Sequence, residues 1–152
     1  MSTLYETDFY SWTLTQAQRL RDAASLRPGQ VPELDWQDLA EEVEDLGLSL
    51  ERELYARFTM LLSDLLKWSM LPSHRGTSSQ IGLAEQRFAI ARLLRKNPGL
   101  QSKVAGEFDD AWTSARLKAA LATGLALAAM PETCPFSVEQ AMDETFFPEG
   151  AV

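Results

Sequence analysis

The sequence contains one cysteine, Cys134, and one histidine, His74. A single thiol excludes an intrachain disulfide and any structural zinc site built from several thiolates, and it points to a cytoplasmic setting. Basic residues are also scarce, 14 against 22 acidic ones, giving a formal net charge of -8 and a pI near 4.6. That balance argues against nucleic acid as a partner, because phosphate contacts need a basic surface. Long apolar runs are missing as well. The most apolar stretch, Ala119 to Met130, is interrupted by Thr123 and Gly124 and falls short of the roughly 20 residues of a spanning helix, so no membrane role is expected. The opening residues Met1 to Glu6 show neither the basic region nor the apolar core of a secretory leader. There is no glycine-rich phosphate loop, no His-Glu-x-x-His, no Cys-x-x-Cys and no Gly-x-Ser-x-Gly.

What is present favours helices. Apolar residues make up 45% of 152 positions, enough for one core, and a single helical domain over residues 1–152 is expected. Sustained alternation of the kind strands require is absent, and helical spacing dominates. The first helix should start at Thr7 or Asp8, either of which can cap free N–H groups, present Phe9, Trp12, Leu20 and Ala24 on one side, and end by Arg27 before Pro28-Gly29. The second should run from the cap Asp35 to about Met70, with Pro72 closing it. Its apolar positions Leu39, Val43, Leu46, Leu50, Leu54, Phe58, Leu61, Leu65 and Trp68 form one unbroken stripe. Gly47 lies inside that helix at a cost of about 1 kcal/mol relative to alanine.

Thr77-Ser78-Ser79-Gln80 reads as a capping box opening a third helix that runs to about Lys96. Leu83, Ile90, Leu93 and Leu94 form its main apolar face, while Ile81 and Phe88 point elsewhere. A helix apolar on two sides is either central or part of an oligomer interface. Asn97-Pro98 should open the fourth helix, with Leu100, Val104, Phe108, Ala111, Trp112, Ala115 and Ala119 on one stripe and Gly124 as its stop. Ser137-Val138-Glu139-Gln140 is a second capping box, opening a short last helix before Pro148. The fold class is therefore all-α: an irregular bundle of four main helices plus a short C-terminal helix.

Few constellations carry chemistry. Nine acids crowd residues 33–53. Among them Glu41-x-x-Glu44 and Glu42-x-x-Asp45 resemble the paired carboxylates with which all-α nucleotide pyrophosphohydrolases hold Mg²⁺. Both pairs lie on one turn of one helix, however, with no matched pair on a following helix, so a solvated acidic face is the simpler reading. The basic run Arg75, Arg87, Arg92, Arg95, Lys96 and Lys103 could meet phosphate, but charge complementarity within the protein or with a second subunit explains it more simply. His74 reads as a loop histidine, Cys134 as a partly buried thiol, and Trp12, Trp36, Trp68 and Trp112 as core anchors.

Four blocks of sequence carry a family resemblance: Tyr5-Glu6-Thr7-Asp8-Phe9-Tyr10-Ser11-Trp12, the acidic Leu39-Ala40-Glu41-Glu42-Val43-Glu44-Asp45-Leu46-Gly47, Leu65-Leu66-Lys67-Trp68, and Pro131-Glu132-Thr133-Cys134-Pro135. In this order they resemble the bacterial "domain of unknown function 29" family over nearly the whole chain. The resemblance implies a small helical bacterial protein with no established activity. It departs at Asp64, where the family often has a histidine. The expected function is a noncatalytic interaction or assembly module without a cofactor, self-associating as a homodimer through Ile81 and Phe88 or binding an unknown protein partner. The alternative is a Mg²⁺-dependent nucleotide hydrolase using Glu41, Glu42, Glu44 and Asp45.

Overall fold

The computed structural model describes residues 3–26 and 34–149. They form six α-helices and no strand: α1 (Thr3–Thr7), α2 (Phe9–Leu26), α3 (Trp36–Met70), α4 (Thr77–Lys96), α5 (Val104–Thr123) and α6 (Val138–Met142). Short 3-10 turns lie at Pro72–His74, Pro98–Lys103 and Leu127–Ala129. The all-α expectation of four main helices and a short C-terminal one holds, with the five-residue α1 as an addition. The expected end at Arg27-Pro28-Gly29 lies outside the described residues. The chain forms two compact units, Met1–Glu53 with Leu94–Ser102 and Leu54–Leu93 with Lys103–Val152.

In the first unit, Asp8 opens α2. Its Oδ1 accepts the Ser11 N–H at 3.2 Å and its carbonyl accepts the Trp12 N–H at 3.0 Å, satisfying donors that a helix start leaves open. Tyr10, Thr13 and Ala17 are the buried residues of α2. Phe9 and Trp12 are only half-buried, against expectation, because they pack with Tyr5 of α1: Phe9 and Trp12 stack at 5.6 Å and Tyr5 meets both edge-on.

Asp35 caps α3 as expected, accepting the Asp38 N–H at 3.1 Å, and the helix continues unbroken through Gly47. The early part of its stripe is displaced. Leu39 and Leu46 are 41% and 48% exposed, while Ala40 and Gly47, one residue further on, are buried. The cause is close approach to α2. A Cβ on Gly47 would collide with Thr13 Oγ1, and that hydroxyl is fixed by donating to the Tyr10 carbonyl at 2.7 Å. Small residues, not leucines, meet at this contact.

In the second unit, Leu54, Phe58, Leu61, Leu62, Leu65 and Leu66 have no exposed surface. Phe58 meets Phe108 of α5 edge-on at 5.3 Å. Arg75 closes the end of α3, donating to the Trp68 and Ser69 carbonyls at 2.8 and 3.2 Å. The expected cap Thr77 is instead the first residue of α4, whose opening N–H bond runs from Gln80 to the Gly76 carbonyl. The fourth helix opens as the 3-10 turn Pro98–Lys103, tightened by the Leu100 N–H on the Asn97 carbonyl. Gly124 ends α5 in the left-handed conformation at φ 74°. Ser137 and Gln140 form the expected capping box of α6, which ends at Met142, well before Pro148.

Candidate functional site

On the acidic segment, Glu41, Glu42 and Asp45 are exposed and Glu44 is half-buried. Glu44 accepts from Arg21 at 2.7 Å. Asp38 is held above the usual carboxylate range, first by a side-chain hydrogen bond with Asp35 and then by the charges of Asp35, Glu41 and Glu42. Among the described residues no three acidic, histidine or cysteine side chains converge as metal ligands.

The basic run divides by role. Arg75 serves the end of α3, as above. Arg87 is 3% exposed; its Nε donates to the Ala141 carbonyl at 2.7 Å and its Nη2 to the Phe146 carbonyl at 2.8 Å, while its guanidinium lies over the Phe147 ring. Burial lowers its pKa, with Asp143 and Glu144 opposing. This arginine, expected on a charged surface, instead fastens the C-terminal segment to α4. Arg92, Arg95, Lys96 and Lys103 are exposed.

The second unit carries two shallow clefts. One, about 320 Å³, is lined by Gln80, Ala84, Arg87, Glu144 and Phe147. Its cation is already engaged by backbone carbonyls. The other, about 400 Å³, includes Trp112, Glu132, Cys134 and Phe136. Burial pushes the Cys134 thiol up, which disfavours the thiolate a nucleophile needs. His74 is half-buried in the turn after α3.

Each family-like block has a packing role. Asp8 Oδ2 accepts from the Ser11 hydroxyl at 2.7 Å and the Gly99 N–H at 2.8 Å, and Asn97 Oδ1 accepts the Tyr10 N–H at 3.1 Å. The first block is thereby tied to Asn97-Pro98-Gly99. Gly47 closes the second block onto Thr13. In the third, Leu65, Leu66 and Trp68 are buried and Lys67 pairs with Asp64 at 3.2 Å. The fourth is anchored by Trp112 Nε1, which donates to the Pro131 and Glu132 carbonyls at 3.2 and 3.0 Å.

The exposed side of α4 lies apart from these blocks, and Ala84 on it borders the smaller cleft. Ile81 and Phe88, seven residues apart, are 54% and 67% exposed. Between and beside them on that side lie Ala84, Glu85, Ala91 and Arg92, all exposed. The separation of Ile81 and Phe88 from the Leu83–Ile90 face was readable from spacing. The significance of the two alanines and the two charges was not, though the same three- and four-residue steps would have found them.

The fold resembles that of a solved structure, the crystal structure of an alpha-helical protein of unknown function from Rhodospirillum rubrum. The likeness covers 93% of this chain and 90% of that one, with a TM-score of 0.64 and 24% identity. No curated protein matches the chain. The family model described as Domain of unknown function DUF29 matches residues 4–147. Since that match takes in all four blocks and all but the edges of the chain, the protein belongs to the DUF29 family.

Proposed function

We propose that the chain is a noncatalytic, self-associating interaction module whose contact surface is the outward side of α4. One observation carries this reading: Phe88 and Ile81 keep more than half of their surface in water on one side of a helix whose other side is well buried. Single exposed apolar side chains are ordinary, but large ones aligned along a helix, with Ala84 between them and Ala91 beyond, form a face that association would cover. A cytoplasmic setting belongs to the same reading.

Sedimentation velocity across low to high micromolar concentrations tests it. The wild-type chain is expected to sediment as a dimer, and Phe88→Glu as a monomer that keeps a helical circular-dichroism spectrum and a cooperative melt. A wild-type monomer at high micromolar concentration overturns the reading. The hydrolase alternative would replace it if Mn²⁺ raised the melting temperature and the Glu42→Gln/Asp45→Asn variant abolished that rise.

A further inference from the structure

Resting on that reading, we infer how the second copy sits: its α4 packs antiparallel on this one, with Phe88 over Ala91 of the partner subunit and Glu85 paired with Arg92 of the partner subunit. The inference comes from the order of residues along the exposed side. Ile81, Ala84, Phe88 and Ala91 follow steps of three and four, the seam positions of a helix pair. Large and small residues alternate along this seam, so a large side chain on one helix can seat over an alanine on the other.

Glu85 and Arg92 each follow an alanine of the seam, so both lie on the same flank, one heptad apart. Both are exposed, and within the described residues neither makes an ion pair or hydrogen bond.

Charge selects the arrangement. In a two-fold antiparallel pair, like flanks face each other; facing seam residues sum to one constant, and facing residues of this flank to two less. Seating Phe88 over the partner's Ala91 brings Glu85 opposite the partner's Arg92, and by symmetry the same pair forms again. Seating Phe88 over the partner's Ala84 brings the two Glu85 side chains together, which like-charge repulsion disfavours. A parallel pair places opposite flanks together and leaves Glu85 and Arg92 apart. Only the first register uses both charges. It also puts Ile81 one heptad outward, at the rim of the contact.

Charge reversal tests this register. Glu85→Arg alone and Arg92→Glu alone should each weaken dimerisation by about tenfold, since two exposed ion pairs are replaced by like charges. The double variant Glu85→Arg/Arg92→Glu should return to the wild-type dissociation constant. Ile81→Glu should weaken the dimer less than Phe88→Glu. All four positions are exposed, and circular-dichroism melts check that each variant is folded. If Phe88→Glu dissociates the dimer but the single reversals have no effect, or the double reversal fails to rescue, the register is wrong while the α4 contact stands. If the wild-type chain is a monomer at high micromolar concentration, both the register and the proposed function fall.

Discussion

From Leu54 to Trp68, α3 turns leucines, a phenylalanine and a tryptophan inward, and even Ser63 is 1% exposed. From Trp36 to Glu53, the same helix with the same spacing closes only Ala40 and Gly47 to solvent and leaves Leu39 and Leu46 about half exposed. The difference lies in what each half meets. The later half packs amid large side chains, including Phe108. The earlier half meets a helix at backbone range, where Thr13 lies against Gly47. A periodic stripe gives the direction of a helix face to within one residue, or about 100°. The size of the facing residues decides which side of that residue is buried.

Five variants sharpen this contrast and test the contacts around it, beginning with the pair that sets one half of α3 against the other. Leu61→Ala, in the later half, should cost about 2–5 kcal/mol as a cavity in a fully buried site. Leu46→Ala, at the corresponding stripe position of the earlier half, should stay within about 0.5 kcal/mol. Urea denaturation of the two variants measures both, and equal losses would erase the distinction. Arg87→Met keeps an unbranched stem but removes the guanidinium, leaving the Ala141 and Phe146 carbonyls without their donor. A loss of about 1–3 kcal/mol for each unpaired group is expected, read as a lowered thermal midpoint.

Gly47→Ala should destabilise by about 1–3 kcal/mol through overpacking, although alanine favours helix by about 1 kcal/mol. Combining it with Thr13→Ala should recover part of that loss, and a double-mutant cycle with no coupling would show that the close contact has no energetic weight. Glu42→Gln/Asp45→Asn should change stability by no more than about 0.5 kcal/mol, with a slight gain from relieved repulsion on the acidic turn. A drop in melting temperature beyond that range would show that these carboxylates are held by something other than water.

Much of the fold was legible because its signals are local. Asp35, Gly124 and the Ser137–Gln140 box mark helix ends through groups a few residues away, and Pro72 ends α3 through its own ring. The rest depends on distant partners. Asp8 reads as a cap, but its second oxygen waits for Gly99, 91 residues on. Arg87 reads as a surface charge until Ala141 and Phe146 arrive. Leu39 and Leu46 read as core because nothing in their spacing reveals that α2 approaches through Thr13. For the candidate site, the apolar pair Ile81 and Phe88 was visible as residues off the main face. The acidic turn stood out by composition, yet composition cannot distinguish a ligand set from a solvated surface.

The grip of Arg87 also orders events in time. The arginine leaves the ribosome 54 residues before Ala141 and 59 before Phe146. Through that interval its guanidinium has no backbone carbonyls to receive it, and a bare charge will not enter an apolar interior. The helices of the second unit can form and touch, but this side chain must remain wet until α6 and the residues after it emerge. Closure of that unit therefore waits until Ala141 and Phe146 have been made. A nascent chain arrested before Phe146 would display a partly open, protease-sensitive second unit while α2 and the early part of α3 had long been available to pair.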